Sequence, residues 1–375
     1  MTFEAGGTLP GRLYCPRCGQ QSKPGPDPWP CPRCEEPVYY EPPSQGPGEG
    51  EARGWHYASF LPPVPPVSLG EGNTPLIESS WLGPRLGLDL WFKLEGGNPT
   101  GSFKDRGASV LVAVLSAMGA STMADDSSGN AGASLAAYAA RAGIKARLFV
   151  PEHASPRKLA QISAYGADLT TVAGPRFRCE EAARAACQHD PGLIYASHNI
   201  SPYFIEGLTT MAYELLADIP RMDENWHVVL PVGGGGLLLG LARGFSRIGD
   251  AGHAPRFHMA QPAACAPLAK ALLQGATSPG EVEPYPTLAE GASIPRPYRG
   301  RQVLAAVRAS GGSAVMLSEG SIQQAQQELA CEEGLLVEPT SALAPAALAP
   351  LVADRALPAG AHVVVVLTGT GLKAL

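Results

Sequence analysis

The chain contains no apolar run approaching the roughly 20 residues that a membrane-spanning helix needs, so none of its 375 residues suggests a transmembrane segment. Basic residues are not in excess. Lysine and arginine number 28 against 34 aspartates and glutamates, for a formal net charge of -6, whereas a nucleic-acid binder carries a basic footprint. The sequence does not open with a basic stretch followed by an apolar core, so no secretory signal is expected and the location expected is cytoplasmic. Charged residues make up only 17% and hydrophobic ones 45%, an ordinary soluble composition. The length is sufficient for a sizeable core and two or more domains. Eight cysteines could suggest disulfides. Four of them form two Cys-Pro-Arg-Cys pairs, which reads better as metal chemistry in a reducing compartment. Cys179, Cys187, Cys265 and Cys331 are scattered and expected to be small buried hydrophobes.

Composition divides the chain. Residues 1–10 resemble a loose tail, 11–40 hold the cysteine pairs, and 41–53 form a linker rich in proline and glycine. Beyond residue 70, short apolar runs alternate with longer alanine-rich ones. Strands are expected at 90–94, 122–125, 146–150, 169–172, 193–196, 227–231, 256–260, 314–317 and 362–367. Helices are expected at 133–142, 157–165, 179–189, 206–216, 237–248 and 322–333. This alternation indicates an α/β fold with mostly parallel sheets.

The most informative stretch is Lys93-Leu-Glu-Gly-Gly-Asn-Pro-Thr-Gly-Ser-Phe-Lys104-Asp-Arg-Gly107. Lys104 follows an aromatic residue and precedes the apolar run Val110, Leu111, Val112, Val114 and Leu115. Partial desolvation disfavours the ammonium form, and a helix N-terminus pushes the same way. A neutral amine can attack an aldehyde, so Lys104 suits a Schiff-base role. Phe103 is expected to pack beside it, and Asp105 and Arg106 to form an exposed local pair. Gly233, Gly234, Gly235 and Gly236 follow an apolar strand and precede the helix-like run that starts at Leu237. Their backbone N–H groups could converge on an anion at the positive end of that helix. The loop is neither a Walker loop nor Gly-x-Gly-x-x-Gly, and a plain strand-to-helix turn is an equal alternative. Ser127, Ser128, Gly129, Asn130 and Ala131 also stand between a strand and a helix. They could cap that helix or present donors to a carboxylate. Thr368 ends the run 362–368, at the carboxyl edge of the sheet where open α/β folds bind ligands. Cys15, Cys18, Cys31 and Cys34 suit one tetrahedral structural zinc with no open position.

The 98–107 string closely resembles the cofactor-lysine motif of fold type II pyridoxal-phosphate enzymes, and threonine synthases and their near relatives above all. Ser127-Ser-Gly-Asn-Ala-Gly132, Pro231-Val-Gly-Gly-Gly-Gly236 and Leu367-Thr-Gly-Thr-Gly-Leu-Lys373 match in the family's order. The resemblance implies two lobes with pyridoxal phosphate between them, a smaller one at 109–205 and a larger one combining 54–108 with 206–375. It also implies that Lys104 carries the cofactor, that the glycine loop holds its phosphate, and that Asn130 meets its ring oxygen. Residues 127–131 would hold the substrate carboxylate, and Thr368 would face the pyridine nitrogen. A hydroxyl there gives a weaker electron sink than a carboxylate and favours elimination over transamination. A zinc ribbon precedes some such enzymes. A small-molecule amino-acid substrate and a homodimer are expected, with no nucleic-acid or membrane partner.

The match weakens in one stretch. Threonine synthases commonly carry Asn-Pro-x-Arg-x-Glu-Gly-Gln-Lys-Thr, whose arginine helps to hold a substrate phosphate. Here Ser201-Pro-Tyr-Phe204-Ile-Glu-Gly-Leu-Thr-Thr210 puts Phe204 and Thr209 at the charged positions, and Gly234 stands where an asparagine is common. A dianionic phosphate needs charged or bidentate donors; Arg296 or Arg299 could supply charge from elsewhere. The reading is a lyase-type enzyme acting at the β or γ carbon of an amino acid. Serine/threonine dehydratase or another β-replacement enzyme is the alternative, and a non-catalytic cofactor-binding regulator is the reading from a different class. Borohydride reduction of the purified protein followed by peptide mapping is expected to place the pyridoxyl label on Lys104, and Lys104→Ala to abolish turnover. A label on another lysine would refute the assignment.

Overall fold

The computed structural model describes residues 9–26, 30–43, 55, 57–154, 156–219, 222–248 and 254–374. The expected tail up to residue 8, and the expected linker from residue 44 onward, lie outside these. The chain forms two compact units, one comprising Met1–Gly72 and Lys104–Leu208, the other Asn73–Phe103 and Thr209–Leu375.

The first unit holds a four-stranded parallel sheet in the order Asp168–Val172, Lys145–Pro151, Thr122–Asp125, Leu193–Tyr195. Parallel neighbours need crossovers, supplied by the helices Asn130–Ala142, Pro156–Ala164 and Phe177–His189. The helix Lys104–Ala117 is buried from Asp105 through Leu115. Its centre is apolar on every face, which places a helix inside rather than on the surface. Burial extends to the first turn, contrary to the exposed pair expected there: Asp105 is 0% and Arg106 2% exposed. The Asp105 carboxylate accepts a hydrogen bond from Ser134 Oγ at 2.6 Å, so packing by the Asn130–Ala142 helix replaces water with a protein donor. Cys331 likewise proves exposed, and Cys187 only half-buried, rather than buried.

One expected helix, 206–216, is instead two: Pro202–Leu208 and Thr210–Asp218. Pro202 suits a first helical position. The first of the two lies so close to Lys104–Ala117 that a Cβ on Gly207 would stand 2.0 Å from the Arg106 carbonyl oxygen. In the same contact, a Cβ on Gly107 would meet the Phe204 ring at 2.5 Å. This packing fixes the direction of the short helix, and the chain turns at Thr209 where the second unit resumes.

A small antiparallel sheet, Gln21–Ser22, Arg12–Tyr14 and Tyr39–Glu41, belongs to the first unit. It packs on Pro202–Leu208: the Tyr40 and Tyr203 rings meet edge to face at 5.5 Å. Tyr203 donates its hydroxyl to the Gly25 carbonyl at 3.0 Å.

The second unit is a six-stranded sheet in the order Ala314–Leu317, Arg256–Pro262, Trp226–Pro231, His362–Leu367, Asp89–Leu94, Leu76–Glu78. All neighbours are parallel except the last pair. Val363, Val364, Val365 and Val366 are all 0% exposed, the continuous apolar run of a strand covered on both faces. Helices Pro267–Leu273, Gly300–Ala309, Pro339–Ala346 and Leu348–Ala353 have no counterpart among the expected elements. Two of these open with proline at the start of the helix, and one carries Pro345 inside it, residues that argue against helix when read from sequence. Among the described residues no helix is long and apolar enough to cross a membrane.

Gly207→Ala is expected to destabilise the protein by about 1–3 kcal/mol or more through overpacking. A lowered denaturant midpoint would show it, and an unchanged midpoint would contradict the close approach.

Candidate active site and metal centre

In the second unit the candidate cofactor residues gather at the carboxyl ends of neighbouring strands. Trp226–Pro231 runs into the glycine loop, and the helix Gly236–Ile248 follows at once. Gly235 has φ 85°, and a Cβ there would stand 2.2 Å from Val303 Cγ2. Gly233 is held against the 290–292 turn, where a Cβ would be 2.8 Å from the Gly291 carbonyl oxygen. The loop is therefore a backbone surface that side chains would fill, followed by a helix N-terminus, which is what a phosphate group requires. Leu237 is buried in the first turn of that helix.

Thr368 directly follows the adjacent strand, His362–Leu367, and is 2% exposed. Its Oγ1 lies 2.9 Å from Ser341 Oγ. Ser341, which sequence reasoning missed, also accepts from the Gly369 N–H at 2.8 Å and donates to the Gly369 carbonyl at 3.1 Å. The Thr368 carbonyl accepts the Phe103 N–H at 3.0 Å, so Lys104 is the next residue along the chain from this edge. Ser102 Oγ is fully buried with no hydrogen-bond partner among the described residues. An unsatisfied buried hydroxyl costs about 1–3 kcal/mol, as expected where a ligand completes the bonding. The glycine surface and this orphan hydroxyl fit a phosphorylated cofactor. Of the two arginines considered as substitute charges, Arg296 is exposed and paired with Glu281 at 3.1 Å. Arg299 is buried and bonds Gln302 Oε1 at 3.0 Å.

The other lysine of the motif is ruled out as a nucleophile by its partners. Lys93 is 0% exposed, and its Nζ lies 3.0 Å from Glu214 and 3.1 Å from Asp218. It donates to the Thr74 carbonyl at 2.7 Å. Two carboxylates and a carbonyl thus engage the donors of this amine.

In the first unit Lys104 opens its helix and is half-buried. Its Nζ stands 5.7 Å from the centroid of the Phe204 ring, within range of a cation–π contact. The 127–131 loop joins Thr122–Asp125 to Asn130–Ala142. Its Gly129 N–H bonds Ser127 Oγ at 3.3 Å, and the Ser127 N–H bonds Asp125 Oδ1 at 2.8 Å. The N-cap residue of this helix is Gly129, which has no side chain to cap it. An uncapped helix start suits a carboxylate ligand.

Behind the loop stands a charged group that the sequence did not reveal. Asp125 and Asp126 are both buried. His198 Nδ1 and backbone N–H lie 3.1 and 3.3 Å from Asp125 Oδ2. Burial alone would raise the Asp125 carboxyl, but His198 and these N–H donors outweigh it and hold it below its usual range. Asp126 moves the other way, raised by burial and then by the Asp125 charge, despite Arg176 at 3.4 Å and the Tyr195 hydroxyl at 2.7 Å.

The four cysteines converge. Their sulfurs all lie within 4.8 Å of one another, with Cys15–Cys34 at 3.5 Å and Cys18–Cys31 at 3.6 Å. Sulfurs bound at ~2.3 Å around a tetrahedral ion stand roughly 3.8 Å apart, so the set fits such an ion. Both knuckles use the same turn. Gly19 and Glu35, at φ 72° and 59°, donate their N–H groups to the carbonyls of Cys15 and Cys31. Burial pushes the Cys15 thiol up to about 12, while the Gln20 backbone N–H draws Cys18 down to about 7.

These features define a fold type II pyridoxal-phosphate enzyme of the lyase type. The profile of the family described as Pyridoxal-phosphate dependent enzyme matches residues 67–369. The chain is similar to a threonine synthase of Methanosarcina acetivorans, at 35% identity over 325 residues, 85% of this chain and 80% of the relative. A threonine synthase of Synechocystis sp. is 35% identical over 327 residues, 84% of this chain and 82% of the relative. Among solved structures, a T.th. threonine deaminase aligns with a TM-score of 0.67 at 30% identity, covering 80% of this chain and 92% of that one. A maize serine racemase, at TM-score 0.71 and 24% identity over 80% of this chain and 88% of its own, shares the fold. The chain belongs to the pyridoxal-phosphate-dependent enzyme family, and its chemistry is elimination or replacement on an amino acid.

Proposed function

We propose that this enzyme acts on an amino acid whose leaving group is uncharged or differently activated, rather than on a phosphate ester. The carrying observation is Phe204, 1% exposed, with its ring under Lys104 Nζ; by the resemblance it stands at the motif position of the threonine-synthase arginine. An apolar ring cannot pair with a dianion. Threonine synthase remains the nearest named activity, and deamination of a hydroxy amino acid is the second reading, favoured by the same ring.

Pyridoxal phosphate would be held by Lys104, Phe103, Asn130, the 233–236 glycines with Leu237, and Thr368. When bound it supplies an electron sink for the substrate's α-carbon. The chain supplies the rest. The 127–131 backbone and hydroxyls fix the substrate carboxylate. Lys104 Nζ takes and returns the α-proton. Phe204 places an apolar ring beside the Lys104 amine in place of a cation. Thr368 offers a hydroxyl rather than a carboxylate to the ring nitrogen, with Ser341 fixing its direction. We also propose a soluble cytoplasmic homodimer and one structural zinc on Cys15, Cys18, Cys31 and Cys34.

Kinetics test the substrate reading. Losing a charged hydrogen bond to the transition state costs ~1.5–3 kcal/mol, roughly tenfold to a hundredfold in rate. The expected result is lower kcat/KM for O-phosphohomoserine than for serine, threonine or O-acetylated analogues. If O-phosphohomoserine is turned over best and yields threonine, the reading fails. Elemental analysis should find one zinc per chain, lost in Cys15→Ser/Cys18→Ser, with stability affected before chemistry. Equal metal content in both proteins would contradict the site.

A further inference from the structure

The buried pair Asp125–His198 stands beside the carboxylate loop, whose Ser127 N–H bonds Asp125 Oδ1, but His198 itself is given no role in it. Asp125 holds both the backbone N–H and the Nδ1 of His198. A carboxylate at Nδ1 fixes the tautomer and orientation of an imidazole. Nε2 is left for another partner, on a ring that is 7% exposed.

Two contacts give this ring and Lys104 a common neighbour. His198 meets the Phe204 ring edge to face at 5.9 Å, and Lys104 Nζ lies over that same ring at 5.7 Å. Ser201, in the turn between His198 and Phe204, is 1% exposed, and its Oγ has no hydrogen-bond partner among the described residues. Phe204 thus touches one oriented imidazole and one amine, and an unsatisfied hydroxyl stands three residues before it in the chain.

We propose that His198 is the acid that protonates the leaving group, and that the substrate therefore carries a poor oxygen leaving group, a β-hydroxyl, at this position. The assignment rests on the functional reading above. Lys104 Nζ removes the α-proton. The bond from carbon to oxygen then breaks with its electron pair on oxygen. His198 Nε2 gives that oxygen its proton, and water departs. Solvent reprotonates the imidazole, Asp125 steadies the ring throughout, and Ser201 Oγ accepts from or donates to the substrate hydroxyl. Asp125 is a positioning residue in this scheme.

The test separates the leaving-group step from α-proton removal in the holoenzyme. Cα deuterium exchange is followed by NMR, beside product release from serine or threonine and from β-chloroalanine, whose chloride needs no proton. General acid catalysis contributes about 10²–10⁴-fold, so His198→Gln should slow release from the hydroxy amino acid at least ~100-fold and release from β-chloroalanine less than ~5-fold. Exchange at Cα should persist, and Asp125→Asn should give a weaker version of the same split. Equal losses on both substrates together with lost exchange would make His198 structural and overturn the proposal. So would an unaffected hydroxyl substrate, or wild-type turnover of β-chloroalanine with none of any hydroxy amino acid. If the wild type neither exchanges nor eliminates any of these, the functional reading itself fails, a result distinct from all the others.

Discussion

Much of the first unit depends on one close contact between helices. Gly107 and Gly207 let Lys104–Ala117 and Pro202–Leu208 approach until backbone meets backbone and ring. That contact seats Phe204 beneath Lys104. It also fixes where the preceding turn presents His198 to Asp125. A side chain at either glycine would push the helices apart and disturb the amine, the aromatic floor and the imidazole together. Close packing transmits small displacements because interiors have few voids to absorb them.

The same short helix carries the cysteine sheet on its other side through Tyr203. Neighbouring residues of one helix therefore face two different tasks: Tyr203 anchors the small sheet and Phe204 floors the lysine. The sheet has too few residues for a core of its own. Its geometry depends on the sulfur cluster and on this docking, which gives it a structural rather than a chemical connection to the candidate site.

What could be read from sequence was what is local. Strands at 122–125, 314–317 and 362–367 match the structure residue for residue because apolar runs bounded by turns leave no other choice. The glycine loop and the 127–131 loop stand out for the same reason: each lies between a strand and a helix within a few residues. Asp125 and His198 are 73 residues apart, and neither belongs to a motif; only the pairing of Thr122–Asp125 with Leu193–Tyr195 brings the two segments together. Ser341 meets Thr368 across 27 residues, from a helix that opens with proline. Asp105 and Arg106 look like surface charges because burial is decided by helices elsewhere in the chain.

The sheet order of the second unit has a consequence for how the enzyme is made. Its strand His362–Leu367 lies between Trp226–Pro231 and Asp89–Leu94. A central strand is thus among the last parts of the described chain to be synthesised, and His362 pairs with Asp89, 273 residues earlier. Until it arrives, two apolar strand edges lack their partner, a state that folds slowly and invites mispairing. Thr368 and the glycine loop come to one edge only when that strand inserts, so the edge exists only after segments far apart in the chain have paired.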